Sequence, residues 1–247
     1  MKKFFSFLLI LFFLVSCSNN DEELTKETPK LLIKLEQIET GSSSDTHISH
    51  YNYDSDNFLI SITNNDTFFS KAHYDSNNNL VKLDQENYNV SDNYEYLNNK
   101  LVKHSRVEDN SIVRSIEYTY DSNNLLTSEK VTYHYNTPST TTIIYNYEYN
   151  GNTVKKINTT NTSSYTIIKY DGKNFPFLEA NYVKRIFPLI KLGNIIEEKS
   201  YSNGELNYTK TNTITYDNDD FPTVIVVNEV DSSGYSWGET RNYTYNK

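Results

Sequence analysis

The chain of 247 residues carries 23 basic and 32 acidic side chains, a formal charge of -9, and only 36% apolar residues even with tyrosine counted. A net-negative chain lacks the basic surface that phosphate backbones demand, which excludes nucleic acid as a partner. Ordinary domains hold about 45–50% apolar residues, so a thick core is excluded as well, and a sheet wet on one face is expected.

Lys2 and Lys3 precede a twelve-residue stretch from Phe4 to Val15 that is apolar apart from Ser6, and Ser16 then leads to Cys17. This is the layout of an export leader, too short for the about 20 residues of a transmembrane helix. Cys17 is the only cysteine. No disulfide can therefore form within the chain, and packing with backbone pairing must hold the fold.

"LVSC" at Leu14 to Cys17 resembles the lipobox of bacterial lipoproteins. The resemblance implies cleavage before Cys17 and acylation of its thiol, with residues 1–16 as signal peptide and two or more acyl chains as membrane anchor. "SNNDEE" at Ser18 to Glu23 resembles the acidic signal that sends Bacteroidota lipoproteins to the outer face of the outer membrane. Surface display is the expectation, and the periplasmic face is the alternative. Residues 17–29, nearly devoid of apolar side chains, are expected to form a flexible linker.

The domain is expected over 30–247. Lys30 to Ile38, "KLLIKLEQI", reads as the first strand and Gly41 to Asp45 as a turn. From Thr46 the pattern has period two. In "SIVRSIEYTY" the row Ile112, Arg114, Ile116, Tyr118 and Tyr120 alternates with a more polar one, so each strand has one wetter face.

A motif of two tyrosines, an aspartate and small polar residues recurs, its second tyrosine at 53, 74, 96, 120, 149, 170, 216 and 245. Such a loose repeat accommodates two strands and two turns per unit, about sixteen strands of sequential hairpins in all. Tyrosine favours strands, and Tyr-x-Tyr places two rings on one face, where cross-strand contact contributes about 0.2–1 kcal/mol per pair. The aspartate bonds backbone amides ahead of it. The chain has only seven glycines, so Asn57, Asn78, Asn99, Asn124 and Asp220 are expected to take the positive φ of the turns.

Residues 171–200 break the rhythm with Pro176 and Pro188. Val183, Ile186, Phe187 and Ile190 have helical spacing that Pro188 would interrupt. The expectation is an irregular insertion, with or without a short helix, covering an end or face of the sheet and able to serve as a binding element.

"YDSNNLL", "YDGKNFPF" and "TYDNDDFPTVIVV" followed by "RNYTY" resemble uncharacterised Bacteroidota lipoproteins that carry a domain of unknown function described as having a porin-like fold. They are more distantly similar to the tyrosine-aspartate repeats of Rhs-type proteins. The likeness implies the fold and carries no functional residues.

The search for chemistry yields little. No G-x-S-x-G nucleophile elbow occurs. His47 and His50 fall on opposite strand faces, which makes them a poor metal pair. Asp75, Asn77, Asn79 and Glu86 match part of a calcium loop, but Leu80 stands where its glycine belongs. Adjacent Glu197 and Glu198 point apart. No cofactor and no metal are expected.

The overall expectation is an all-β antiparallel domain, its sheet curled into an open or barrel-like form. Its function is expected to be non-enzymatic binding of glycan or protein at the cell surface, through exposed rings among Tyr235, Trp237, Phe177 and Phe187. One alternative is a carrier holding an apolar ligand inside the curled sheet with Phe177 to Leu192 as lid. The other is a hydrolase, which would need a pocket with two carboxylates or a perturbed histidine.

Overall fold

A computed structural model describes residues 28–40, 45–65, 68–85, 88–135, 139–181 and 188–247. Sixteen strands follow one another: β1 Leu32–Thr40, β2 Thr46–Tyr53, β3 Leu59–Asn64, β4 Phe68–Tyr74, β5 Leu80–Gln85, β6 Val90–Leu97, β7 Lys100–Glu108 and β8 Ser111–Tyr120. The series continues with β9 Leu126–His134, β10 Thr140–Asn150, β11 Thr153–Asn158, β12 Tyr165–Tyr170, β13 Ile195–Ser202, β14 Glu205–Tyr216, β15 Pro222–Asp231 and β16 Ser236–Tyr245. A 3-10 turn lies at Ile190–Leu192. Most of the helical spacing noted at 183–190 lies outside the described residues.

Each strand pairs antiparallel with its sequence neighbours, and β16 pairs back onto β1, so the sheet is a closed barrel. The sequence left closure open. Gly238 resolves it locally, because a Cβ there would stand 2.5 Å from Thr40 Oγ1 across the seam. Closure leaves no unpaired strand edge.

Tyr94, Tyr118, Tyr147 and Tyr170, from four different strands, converge on one cavity, which identifies the inner face. Alternation then assigns the rest. On β10 the inward Ile143, Tyr145, Tyr147 and Tyr149 are half-buried, while Ile144, Asn146 and Glu148 are exposed. On β14 the exposed row is Thr211, Thr213 and Thr215. The outward rows carry ion pairs such as Lys82–Asp84 at 2.8 Å, Lys130–Glu117 at 3.4 Å, and Glu197 held by Lys169 at 2.6 Å and Lys199 at 3.0 Å. A bilayer-spanning barrel needs an outward apolar band about 25 Å tall, and Lys or Arg at its midplane costs about 2–4 kcal/mol each. The outward charges are of the kind a bilayer midplane penalises, and exposed Ile144 and Val226 share these rows with them.

The repeated tyrosines build a girdle near one end of the barrel. Tyr53, Tyr74, Tyr96, Tyr120 and Tyr149 stand opposite Leu59, Leu80, Leu101, Leu126 and Val154. Each of these five hydroxyls also donates to a carbonyl at the start of the preceding odd-numbered strand, its first residue or, in β7, its second. The acceptors are Leu32, Leu59, Leu80, Leu101 and Leu126, at 2.7 to 3.0 Å. Tyr245 does the same to Pro222 at 2.9 Å. A ring thus covers one aliphatic side chain while its hydroxyl satisfies a buried carbonyl at the ladder's end. The leucines of the girdle are among the best buried of the described residues, Leu32 at 0% and Leu80 at 2% exposure.

Just beyond the girdle come the turns. Asp54, Asp75, Asp121 and Asp217 each accept, on Oδ1, the amides two and four residues ahead, at 2.8 to 3.0 Å. Asn57, Asn78, Asn99, Asn124 and Asp220 take φ between 59° and 66°, as the sequence leads one to expect. The domain's first residues join this end too. Asn246 Oδ1 accepts from Leu31 N at 2.9 Å, and buried Lys30 pairs with Asp217 at 2.8 Å and Asp219 at 2.7 Å. Burial opposes its charge, yet the two carboxylates prevail and hold the ammonium's pKa above its usual value.

Candidate functional site

The chain leaves β12 at Tyr170 and re-enters the sheet at Ile195 after crossing the girdle end. Its first part is a plug. Phe175, Phe177, Leu178 and Ala180 pack against Leu31, Leu59, Leu80 and their tyrosines, and Phe177 meets Tyr51 edge-on at 5.1 Å between ring centroids. This cluster closes the sector from β1 to β6.

The root of the plug is clasped at the opposite sector. Asp171 Oδ1 accepts from Lys173 N at 2.8 Å and Asn194 N at 2.9 Å, and its Oδ2 accepts from the Tyr216 hydroxyl. Asn194 Nδ2 donates to Asn174 O at 2.9 Å, joining the outgoing and returning strands of the loop. The Lys173 ammonium lies 4.0 Å over the Tyr216 ring and pairs with Asp220 at 2.8 Å. Gly193 is obligatory here. Its φ is +87°, and a Cβ would stand 2.4 Å from Asp171 Oδ1 and 2.7 Å from Lys173 N.

Between plug and wall remains a cavity of about 380 Å³, lined by Tyr94, His104, Tyr118, Leu126, Glu129, Tyr147, Tyr170, Phe175, Pro188, Leu189, Gly193 and Ile195. Its volume falls in the range of about 300–1,000 Å³ typical of small-molecule sites, and its aromatic lining with few polar groups fits that class. His104 stacks on Tyr94 at 5.0 Å, its Nε2 lying 2.8 Å from Asp92 Oδ1. Glu129, 8% exposed, is paired with Lys156, whose ammonium lies 4.3 Å over Tyr145. Both polar groups are thereby held in structural partnerships.

Burial, helped by Glu129, drives the Tyr147 phenol far above its ordinary pKa, and burial pushes Tyr51, Tyr120 and Tyr149 up to about 12. A phenol in an unfolded chain titrates near 10. Above that pH the unfolded chain releases protons the barrel retains, so stability is intact below pH about 10 and lost as pH rises toward 12. The midpoint of thermal unfolding is expected to fall steeply across this window, with tyrosinate absorbance appearing as the barrel opens. A flat profile would contradict the buried girdle.

The residues singled out from sequence are scattered. Phe177 is in the plug, Trp237 lies on the inward row of β16 towards the far end, and Tyr235, 69% exposed, is in the β15–β16 turn there. Phe187 and Cys17 lie outside the described residues. The carboxylate and lysine in the lumen were missed, although Glu129 shares strand parity with Val131 and so falls on the row that becomes the inner face. His104 supplies the cavity's imidazole. Asp75, Asn77 and Asn79 serve the turn, and Glu86 lies outside the described residues. Glu197 is outside the barrel and Glu198 inside, on Tyr208.

No protein-family model and no curated protein matches the sequence. Among solved structures, the chain is similar to a porin-like protein from Bacteroides uniformis ATCC 8492, with 16% identity and a TM-score of 0.58 over 88% of this chain and 98% of that one. A porin-like protein from Bacteroides vulgatus ATCC 8482 aligns with 14% identity and a TM-score of 0.54 over 88% and 99% of the two chains. The likeness is one of fold.

Proposed function

We propose that the chain is a non-enzymatic binding module of the cell envelope, tethered through acylated Cys17 to the outer membrane, with its ligand seat inside the barrel. The observation that carries this reading is the ring-lined cavity between plug and wall. The tyrosines that suggested a ring ladder for surface glycans or proteins turn inward, which favours the carrier alternative over the outer wall. The lining is more tyrosine-rich and more polar than a purely aliphatic lumen, so the ligand is apolar in bulk and able to accept or donate a few hydrogen bonds. The non-enzymatic reading is supported by the pairing of Glu129 with Lys156 and the stacking and bonding of His104, which leave neither group aimed as an acid, base or nucleophile.

The test is a binding screen of glycans and amphiphiles on residues 28–247, a sheet closed on itself. Ile195→Trp, which fills the cavity, is expected to abolish binding, and Tyr235→Ala, in the exposed β15–β16 turn, to leave it unchanged. The reverse pattern would restore the surface reading. Cys17→Ser should release the full chain from the membrane fraction.

A further inference from the structure

We propose that a groove beside Pro188 and Leu189 holds the anionic head of an amphiphile whose apolar body fills the lumen cavity. The proposal rests on the lumen reading and adds the class of ligand.

The cavity and the groove are successive levels of one wall. Along β8, Tyr118 lines the cavity and Tyr120 the groove; along β10, Tyr147 and Tyr149 do the same. Two residues of strand span about 7 Å. Pro188 and Leu189 line both spaces, so they form the threshold between them.

The two levels differ in chemistry. The cavity is lined mainly by rings and aliphatic side chains, and its one carboxylate, Glu129, is paired with Lys156. The groove, about 360 Å³, is lined by Asn98, Asn99, Asn123 and Asn124 together with Lys100 and Lys191, and by no carboxylate. In a chain of net charge -9, Lys82, Lys103, Lys130, Lys156 and Lys169 are set beside acids, and Lys155, like Lys100, lies over a tyrosine ring instead. Among the described residues neither Lys100 nor Lys191 has a carboxylate within ion-pairing distance. Lys100 instead lies 5.9 Å from the centroid of the Tyr120 ring, at the groove's floor. Two ammonium groups amid amide donors favour a carboxylate or phosphate, and they repel a cationic head.

The test is calorimetric titration of residues 28–247 with laurate, dodecyl phosphate, dodecanol and dodecyltrimethylammonium, each below its aggregation threshold. Laurate or dodecyl phosphate is expected to bind, and their ranking separates a carboxylate from a phosphate head. Dodecanol should bind at least about tenfold more weakly and the cation not at all. Lys100→Glu with Lys191→Glu should weaken the anions at least about tenfold, with circular dichroism and melting unchanged. Equal binding of dodecanol, abolished by Ile195→Trp, would overturn the anionic head and spare the lumen reading. Binding that survives Ile195→Trp in a folded variant would overturn both. No binding of any dodecyl compound overturns the proposal outright.

Discussion

Leu80→Ala is expected to lower the free energy of unfolding by about 2–5 kcal/mol, the range for truncating a buried leucine without collapse of the cavity. Leu80 is 2% exposed and touches two repeats at once. Its side chain lies opposite Tyr74 and belongs to the cluster beneath the plug, while its carbonyl takes the Tyr96 hydroxyl at 2.9 Å. The surrounding rings are fixed by those hydrogen bonds and cannot slide into the space. Val226→Ala, on the outer wall at 44% exposure, should change stability by no more than about 0.5 kcal/mol. Denaturant unfolding of the two variants checks the contrast. Similar losses at both sites would mean that stability does not reside in the girdle.

Gly193→Ala should act on the plug rather than the barrel. A Cβ at φ +87° collides with the carboxylate and backbone that form the clasp, and relieving it requires Asp171 to let go of Asn194 N, Lys173 N or Tyr216. Strained backbone of this kind costs about 1–3 kcal/mol. The affected groups are local, so the cost should appear first as detachment of the plug root. Limited proteolysis is expected to cut within 171–194 in the variant while the sheet persists by circular dichroism, and cavity binding should fall with it. A variant as protected as the parent would show that the root is not held where the clasp places it.

The turn grammar of the sequence was informative because its causes are local. Aspartate followed by asparagine fixes a reversal within five residues, so strand number and five positive-φ positions could be read directly, whereas Asn65, Asn89, Asn98, Asp109, Asn110 and Asn203, in turns without that motif, were not foreseen. The inner face could not be assigned that way. Period two separates two rows on each strand without saying which one a closed sheet turns inward, and the tyrosines, half apolar and half polar, are compatible with either. Closure itself depends on β1 meeting β16, and Lys30 finds Asp219 across 189 positions of sequence. The cavity escaped notice for the same reason. Tyr118, Glu129, Tyr147 and Leu189 come from separate elements, and their convergence is a property of the barrel's curvature and of the plug's path. Glu129 was legible only as an acid on an otherwise apolar row, a signal with meaning once that row is known to face inward.

The account stands on an outer wall that meets water and an inner wall that meets ligand. Its most direct test uses single cysteines at Thr213 and Ile214, neighbours on β14 with opposite orientations, in membranes carrying the full chain, whose one native cysteine is Cys17. A membrane-impermeant maleimide is expected to label Thr213→Cys rapidly without detergent, and Ile214→Cys only slowly until the protein is unfolded. Protection of Thr213→Cys that detergent alone relieves would contradict the account, because it would place that wall against lipid.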